Sequence, residues 1–228
     1  VDFINKGDTE WINAQIGRKA YIWLNYPVND YCISRMLMGP TFGDDLNIAG
    51  DLSGYTSNPM EYAEASMLSL YSVADYTWNM ADYDSNASWE RAIKYLMPEN
   101  AEAFKVFCEN NVDLGVNTHG LRRTNESPRF VEASKNFDAQ MAGGYNAEAL
   151  AKVRAEFDLL VSSADQLLAT SESPELMAEI TPWVKVMRYV GQRGQLLCNL
   201  FDHLNAATPE AFVEDYLKIL DLTEEQRS

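Results

Sequence analysis

The sequence predicts a mainly α protein in two parts, a helix–strand unit of the parallel-sheet kind followed by a bundle of helices. Three observations carry this. A continuous, largely apolar run, Ala20-Tyr-Ile-Trp-Leu-Asn25, lies between Arg18-Lys19 and Pro27, which suits a strand buried on both faces. A short helical segment leads directly into it, the αβ half of a parallel unit. From Pro128 on, apolar residues recur only at the three- and four-residue spacing of helices.

In chain order, Asp8 to Ile16 reads as the leading helix. Asp8 or Thr9 would cap it, Ile12 and Ile16 share a face, and Gly17 ends it. After the strand, residues 27 to 58 are rich in Gly, Asp and Asn and read as a long loop with a short apolar stretch, Met36-Leu37-Met38. Pro59 opens a strong helix, with Met60, Ala63, Met67, Leu70, Ala74 and Trp78 as its buried face. Two further helices are expected over Ser88–Met97 and Glu99–Asn110, the second opened by Pro98.

The polar segment from Gly115 to Pro128 marks the best domain boundary. It divides the chain into residues 1–121 and 122–228. Beyond it, helical faces are read at Val153, Phe157, Leu160, Ala164 and Leu167, then at Leu176, Ile180, Val184 and Met187, then at Leu197, Phe201 and Leu204. Pro182 is expected to kink or restart its helix, with Thr181 as cap. Thr208-Pro209-Glu210 opens the last helix.

Composition narrows the function classes. A hydrophobic content of 46% fills a sizeable core, while a net charge of −16 argues against nucleic acid as a partner. The acidity is spread along the chain as a solubilising surface. No apolar run approaches the roughly 20 residues needed to cross a bilayer. The N-terminus lacks a signal peptide and an initiator Met, so an internal start within a longer protein is expected. Cys32, Cys108 and Cys198 form neither a disulfide framework nor a C-x-x-C site, and read as buried or half-buried free thiols. No metal or cofactor motif is found.

Four residues stand out as candidate ligand groups. Trp23 and Asn25 share one face at the C-terminal end of the strand, where a closed parallel barrel places its active site. An indole beside an amide suits a sugar, the ring packing on C–H groups and the amide bonding hydroxyls. Asp30 follows in the loop, and its carboxylate can accept two neighbouring hydroxyls. Asn58 stands at the start of the Pro59 helix. Each has an ordinary reading too: a core Trp beside a strand-end Asn, a turn Asp, and an Asn N-cap. On local chemistry alone the ordinary reading prevails for each of them. Asp44-Asp45 resembles a catalytic acid pair but reads as a solvated turn. His119 and His203 are isolated, and Gly191 and Gly194 suit close helix packing.

The stretches Tyr21-Ile-Trp-Leu-Asn-Tyr-Pro-Val-Asn-Asp-Tyr31, Leu37-Met-Gly-Pro and Asn58-Pro-Met-Glu-Tyr-Ala-Glu resemble glycoside hydrolase family 84, the bacterial relatives of O-GlcNAcase sometimes called hyaluronidases. The likeness continues through Tyr71-Ser-Val-Ala-Asp-Tyr-Thr-Trp78, Asp113-Leu-Gly with His119-Gly, and Glu179-Ile-Thr-Pro-Trp183. The resemblance implies the last αβ segment of a TIM barrel followed by a helical bundle. It implies removal of β-linked N-acetylglucosamine by substrate-assisted, retaining hydrolysis. Trp23 would line the acetamide pocket, and Asn25, Asp30 and Asn58 would bind the sugar. The family's two adjacent catalytic aspartates match nothing here and would lie upstream, so this chain alone is expected to be inactive. A periplasmic or secreted bacterial location and a need for no cofactor are further implications. The rival reading is a non-catalytic helical module that docks on a protein or glycan.

Overall fold

The computed structural model describes residues 3–112 and 126–227. It is mostly helical with one small parallel sheet: α1 (Lys6–Ile16), β1 (Ala20–Pro27), β2 (Leu52–Asn58), α2 (Ala63–Trp78), α3 (Ser85–Leu96), α4 (Ala101–Glu109), α5 (Pro128–Met141), α6 (Ala147–Ala169), α7 (Pro174–Ala206) and α8 (Pro209–Arg227). These residues form two compact units, one around the sheet with α1 to α3, the other around α5, α6, α8 and most of α7. The expected boundary at residues 121 and 122, with Asp113-Leu-Gly and His119, lies outside the described residues. No described helix is long and apolar enough to cross a membrane.

In the first unit, Asn5 rather than Asp8 or Thr9 caps α1. Its Oδ1 accepts from Asp8 N at 2.8 Å, a contact that stabilises by about 1 kcal/mol. Gly17 ends the helix at φ 67°, in the left-handed region that glycine occupies without strain. β1 forms as expected, but it is not buried on both faces. Leu24 and Tyr26 are buried, whereas Tyr21 is 63% and Trp23 68% exposed. One face packs on the unit's interior and the other has no layer over it among the described residues.

The loop reading of residues 27 to 58 is also corrected. Its last part is β2, paired parallel to β1 with Ile22 opposite Tyr55 and Trp23 opposite Thr56. The Met36-Leu37-Met38 stretch is fully buried loop and not a strand.

α2 starts at Ala63, four residues past Pro59, and buries a different face from the one expected. Ala65, Leu68, Ser69, Ser72, Val73 and Tyr76 point inward, while Met67 and Trp78 are exposed. The reason lies in the loop beneath it. Ser69 Oγ donates to Leu37 O at 2.9 Å or Gly39 O at 2.8 Å, and Thr41 N donates to Ser72 Oγ at 2.8 Å. Buried loop backbone needs partners, and serines on the helix supply them. α3 begins at Ser85, capped by Asp84, and its Trp89 Nε1 donates to Met38 O at 2.8 Å. α4 begins three residues after Pro98.

The second unit follows the sequence reading more closely. Val153, Leu160, Ala164 and Leu167 are buried and Phe157 is half-buried, and Ile180, Val184 and Met187 of α7 are buried too; Leu176, in the part of α7 that belongs to the first unit, is also buried. α7 runs unbroken through Pro182. The proline costs one helical hydrogen bond, but Ile180 and Val184 on either side are fully buried and keep the face continuous. Further along, Leu197, Phe201 and Leu204 are exposed, contrary to expectation, and Gly191, Gly194 and Cys198 turn inward instead. Polar pairs fix the helix direction: Arg154 with Asn199 and Asp202, both at 2.6 Å, Gln195 with Asp158 at 2.7 Å, and Arg188 with Asp165 at 2.8 Å. Partner numbers fall along α7 as they rise along α6, so the two are antiparallel. Cys108 and Cys198 are buried and Cys32 is half-buried, all as free thiols.

Close packing explains the two helical glycines. A Cβ on Gly194 would stand 2.1 Å from the Phe157 ring, and one on Gly191 2.9 Å from Phe157 O. Gly194→Ala therefore sets a helix-propensity gain of up to ~1 kcal/mol against overpacking of about 1–3 kcal/mol with no flexible group to yield. The melting temperature followed by circular dichroism is expected to fall by several degrees. An unchanged or raised value would contradict the close α6–α7 contact.

Candidate functional site

The parallel pairing of β1 and β2 brings their C-terminal ends side by side, and the chain fixes them there. Val28 N donates to Asn58 O at 2.8 Å, and Ser57 Oγ donates to Tyr26 O. Asn58 consequently ends a strand. It is not an N-cap, because its backbone is committed to the β1 end and α2 begins only at Ala63. Its Nδ2 donates to Asn25 Oδ1 at 3.0 Å. Two candidate residues 33 positions apart in sequence thus form one amide pair at the mouth of the sheet.

Trp23 lies two residues before Asn25, on the same exposed face. Tyr21 belongs to this face as well, its ring lying over Gly54, where an added Cβ would come within 2.4 Å of it. The sheet face therefore carries two exposed aromatic rings below a pair of amides. Such a surface suits a ligand with apolar C–H faces and hydroxyl edges.

Asp30 sits in the loop just past β1, at the first central position of a turn closed by Cys32 N donating to Asn29 O at 2.8 Å. The turn is held by backbone and by Asn29, whose Nδ2 donates to Arg35 O at 2.6 Å. Among the described residues the exposed Asp30 carboxylate itself has no hydrogen-bond or ion-pair partner, so the turn does not account for its side chain. The structure gives contact geometry for Asn25 with Asn58 and places Trp23 on their face. It places Asp30 in the adjoining loop.

Asp44 and Asp45 are not a solvated turn. Asp44 is only 8% exposed and accepts from Ile4 N at 2.8 Å and Tyr55 Oη at 3.0 Å. Asp45 accepts from Lys6 N at 2.7 Å, and its own N–H donates to Ile4 O at 2.9 Å. The pair tethers the segment before α1 to the sheet. Burial, followed by the nearby Asp44 and Asp45 charges, raises the Tyr76 phenol far above its ordinary range, so it is a neutral donor to Asp45 O at 2.8 Å. A cavity of about 300 Å³ opens beside Asp44, Tyr76 and Tyr83, but none of the four candidate residues lines it. The described residues contain no group of three His, Cys, Asp or Glu able to hold a metal.

A family model described as beta-N-acetylglucosaminidase matches residues 1–109, and one described as the bacterial GH84 post-catalytic domain matches residues 124–226. The chain belongs to glycoside hydrolase family 84. Among solved structures it is similar to CpGH84D, with TM-score 0.90 and 25% identity over 99% of this chain and 38% of that one. It is also similar to CpGH84B, with TM-score 0.85 and 24% identity over 99% of this chain and 39% of that one. A mutant of an O-GlcNAc hydrolase from Thermobaculum terrenum aligns with TM-score 0.86 and 21% identity, over 98% of this chain and 47% of that one. The chain thus spans less than half the length of these relatives.

Removing the Asp44 carboxylate takes away the acceptor of the Ile4 backbone N–H and of the Tyr55 hydroxyl. Asp44→Ala is expected to cost about 3–6 kcal/mol, from two hydrogen bonds to a charged acceptor at about 1.5–3 kcal/mol each. Urea titration checks this, and a midpoint unchanged from the parent would contradict the tether.

Proposed function

We propose that this chain forms part of a β-N-acetylglucosaminidase that cleaves by substrate-assisted, retaining hydrolysis, and that it supplies sugar-binding residues while the acidic pair comes from residues outside this chain. The observation carrying the proposal is the Asn25–Asn58 amide pair at the C-terminal ends of two parallel strands, on the exposed face of Trp23. That is the end at which parallel barrels place their sites. In this reading β1 and β2 are adjacent strands of a TIM barrel, and residues 1–121 and 122–228 are barrel and bundle. The uncovered face of Tyr21 and Trp23 looks into the barrel. Trp23 packs on the acetamide, Asn25 and Asn58 bond ring hydroxyls, and Asp30 accepts the outer hydroxyls. The substrate's own acetamide is the nucleophile. Such an enzyme works on glycans outside the cytoplasm, in the periplasm or the medium.

A specific feature favours a second reading, a helical module that docks on another macromolecule. Val213, Tyr216, Leu217 and Leu220 make an exposed apolar stripe along α8. Hydrolysis of a chromogenic N-acetylglucosaminide distinguishes the two. The full-length protein is expected to turn it over and these 228 residues alone are not. Activity in the isolated chain would contradict the placement of the acids elsewhere, and a full-length protein without activity would favour the docking module. In the active protein, Asp30→Ala is expected to cost roughly 1.5–3 kcal/mol of transition-state binding, the range for a hydrogen bond to a charged group. An unchanged kcat/KM would reduce Asp30 to a surface residue of the turn.

A further inference from the structure

We infer that Asn29 is a positioning residue for Asp30, holding the carboxylate where the sugar's outer hydroxyls arrive; the inference rests on the sugar-binding role proposed for Asp30. Asn29 is 2% exposed, while residues 30 to 35 are all exposed or half-buried and burial resumes at Met36. Asp30 therefore stands on a short arch between two buried supports. Two consecutive turns form the arch, closed by Cys32 N to Asn29 O at 2.8 Å and Arg35 N to Cys32 O at 2.9 Å.

Asn29 is the residue that ties both turns together. Its carbonyl closes the first turn, and its side-chain amide crosses the base of the arch to the Arg35 carbonyl at 2.6 Å. On the near side, Val28 is buried and bonded to the end of β2, so the root of the arch is fixed relative to Asn58. Asn29 thus transmits the position of the sheet mouth to Asp30. An amide suits this role because it donates through Nδ2 from a short side chain with few rotamers. Losing it loosens the base of the arch, although the two backbone turn bonds and the Arg35–Glu126 ion pair at 3.2 Å remain, and Asp30 then spreads over positions of which fewer meet the ligand. The cost falls on binding, since an ordered loop binds more tightly than one the ligand must order.

The test is a double-mutant cycle in the full-length enzyme, with a chromogenic N-acetylglucosaminide as probe and melting temperature measured for every variant. Asn29→Ala is expected to raise KM about tenfold, with kcat within about threefold of the parent. The double variant Asn29→Ala/Asp30→Ala should be no worse than Asp30→Ala alone, because Asn29 acts through Asp30. If Asn29→Ala does not fold, the cycle is run with Asn29→Ser, which is too short to span the arch but keeps a polar group. Additive losses in kcat/KM would show a general structural role and overturn the inference, as would an unchanged KM in the folded variant. If Asp30→Ala itself has no effect, the sugar-binding role of Asp30 fails and this inference falls with it. An effect of Asp30→Ala combined with an inert Asn29 variant would overturn the inference alone.

Discussion

Everything that resembles a site in this chain depends on one constraint, the parallel pairing of β1 and β2. Parallel strands cannot be joined by a tight turn, so the chain must leave the end of one strand and travel back before entering the next. Here that return path is residues 28 to 51, and it begins at the edge that carries Asn25 and Asn58. Pairing then sets Asn58 next to Asn25, and the bonds of Val28 N and Ser57 Oγ lock the two strand ends together. A slip of one residue would turn Trp23 and Asn25 into the interior and expose Leu24 and Tyr26.

The return path needs its own support, because a long loop under a helix exposes many backbone groups to an apolar interior. This chain meets the need with side chains of unusual placement. Serines on the buried face of α2 bond the loop at Leu37, Gly39 and Thr41, and Trp89 bonds it at Met38. Tyr83 donates to Thr41 O at 2.6 Å. The Asp44–Asp45 pair does the same for the segment before α1. An acidic pair that might be taken for catalytic machinery is a structural tether, recognisable by its backbone donors.

The sequence made some of this legible and hid the rest for physical reasons. β1 was visible because it is a dense apolar run, and most of the helical faces from Val153 to Met187 were visible because packing there follows apolar periodicity. β2 was not. Leu52-Ser-Gly-Tyr-Thr-Ser-Asn58 has only two large apolar side chains, and its place is set by backbone pairing with β1, which composition does not record. The α2 face was misread because apolar counting passes over serines, and those serines face the loop. The end of α7 was misread for a related reason: Gly191 and Gly194 win the buried face through closeness of approach, leaving Leu197 and Leu204 outside. At the candidate site, the family resemblance singled out Trp23, Asn25, Asp30 and Asn58, while local chemistry favoured a cap for Asn58. The strand register explains why the cap reading failed.

The claim at the centre is that the sheet mouth formed by Asn25 and Asn58, with Asp30 above it and Trp23 below, is the wall of a sugar subsite. A crystal structure of the full-length protein with N-acetylglucosamine bound tests it most directly. The account expects the sugar against the Trp23 face, with Asn25, Asp30 and Asn58 within hydrogen-bond distance of its polar groups. A sugar seated elsewhere, with those three side chains bonded only to protein and water, would contradict it.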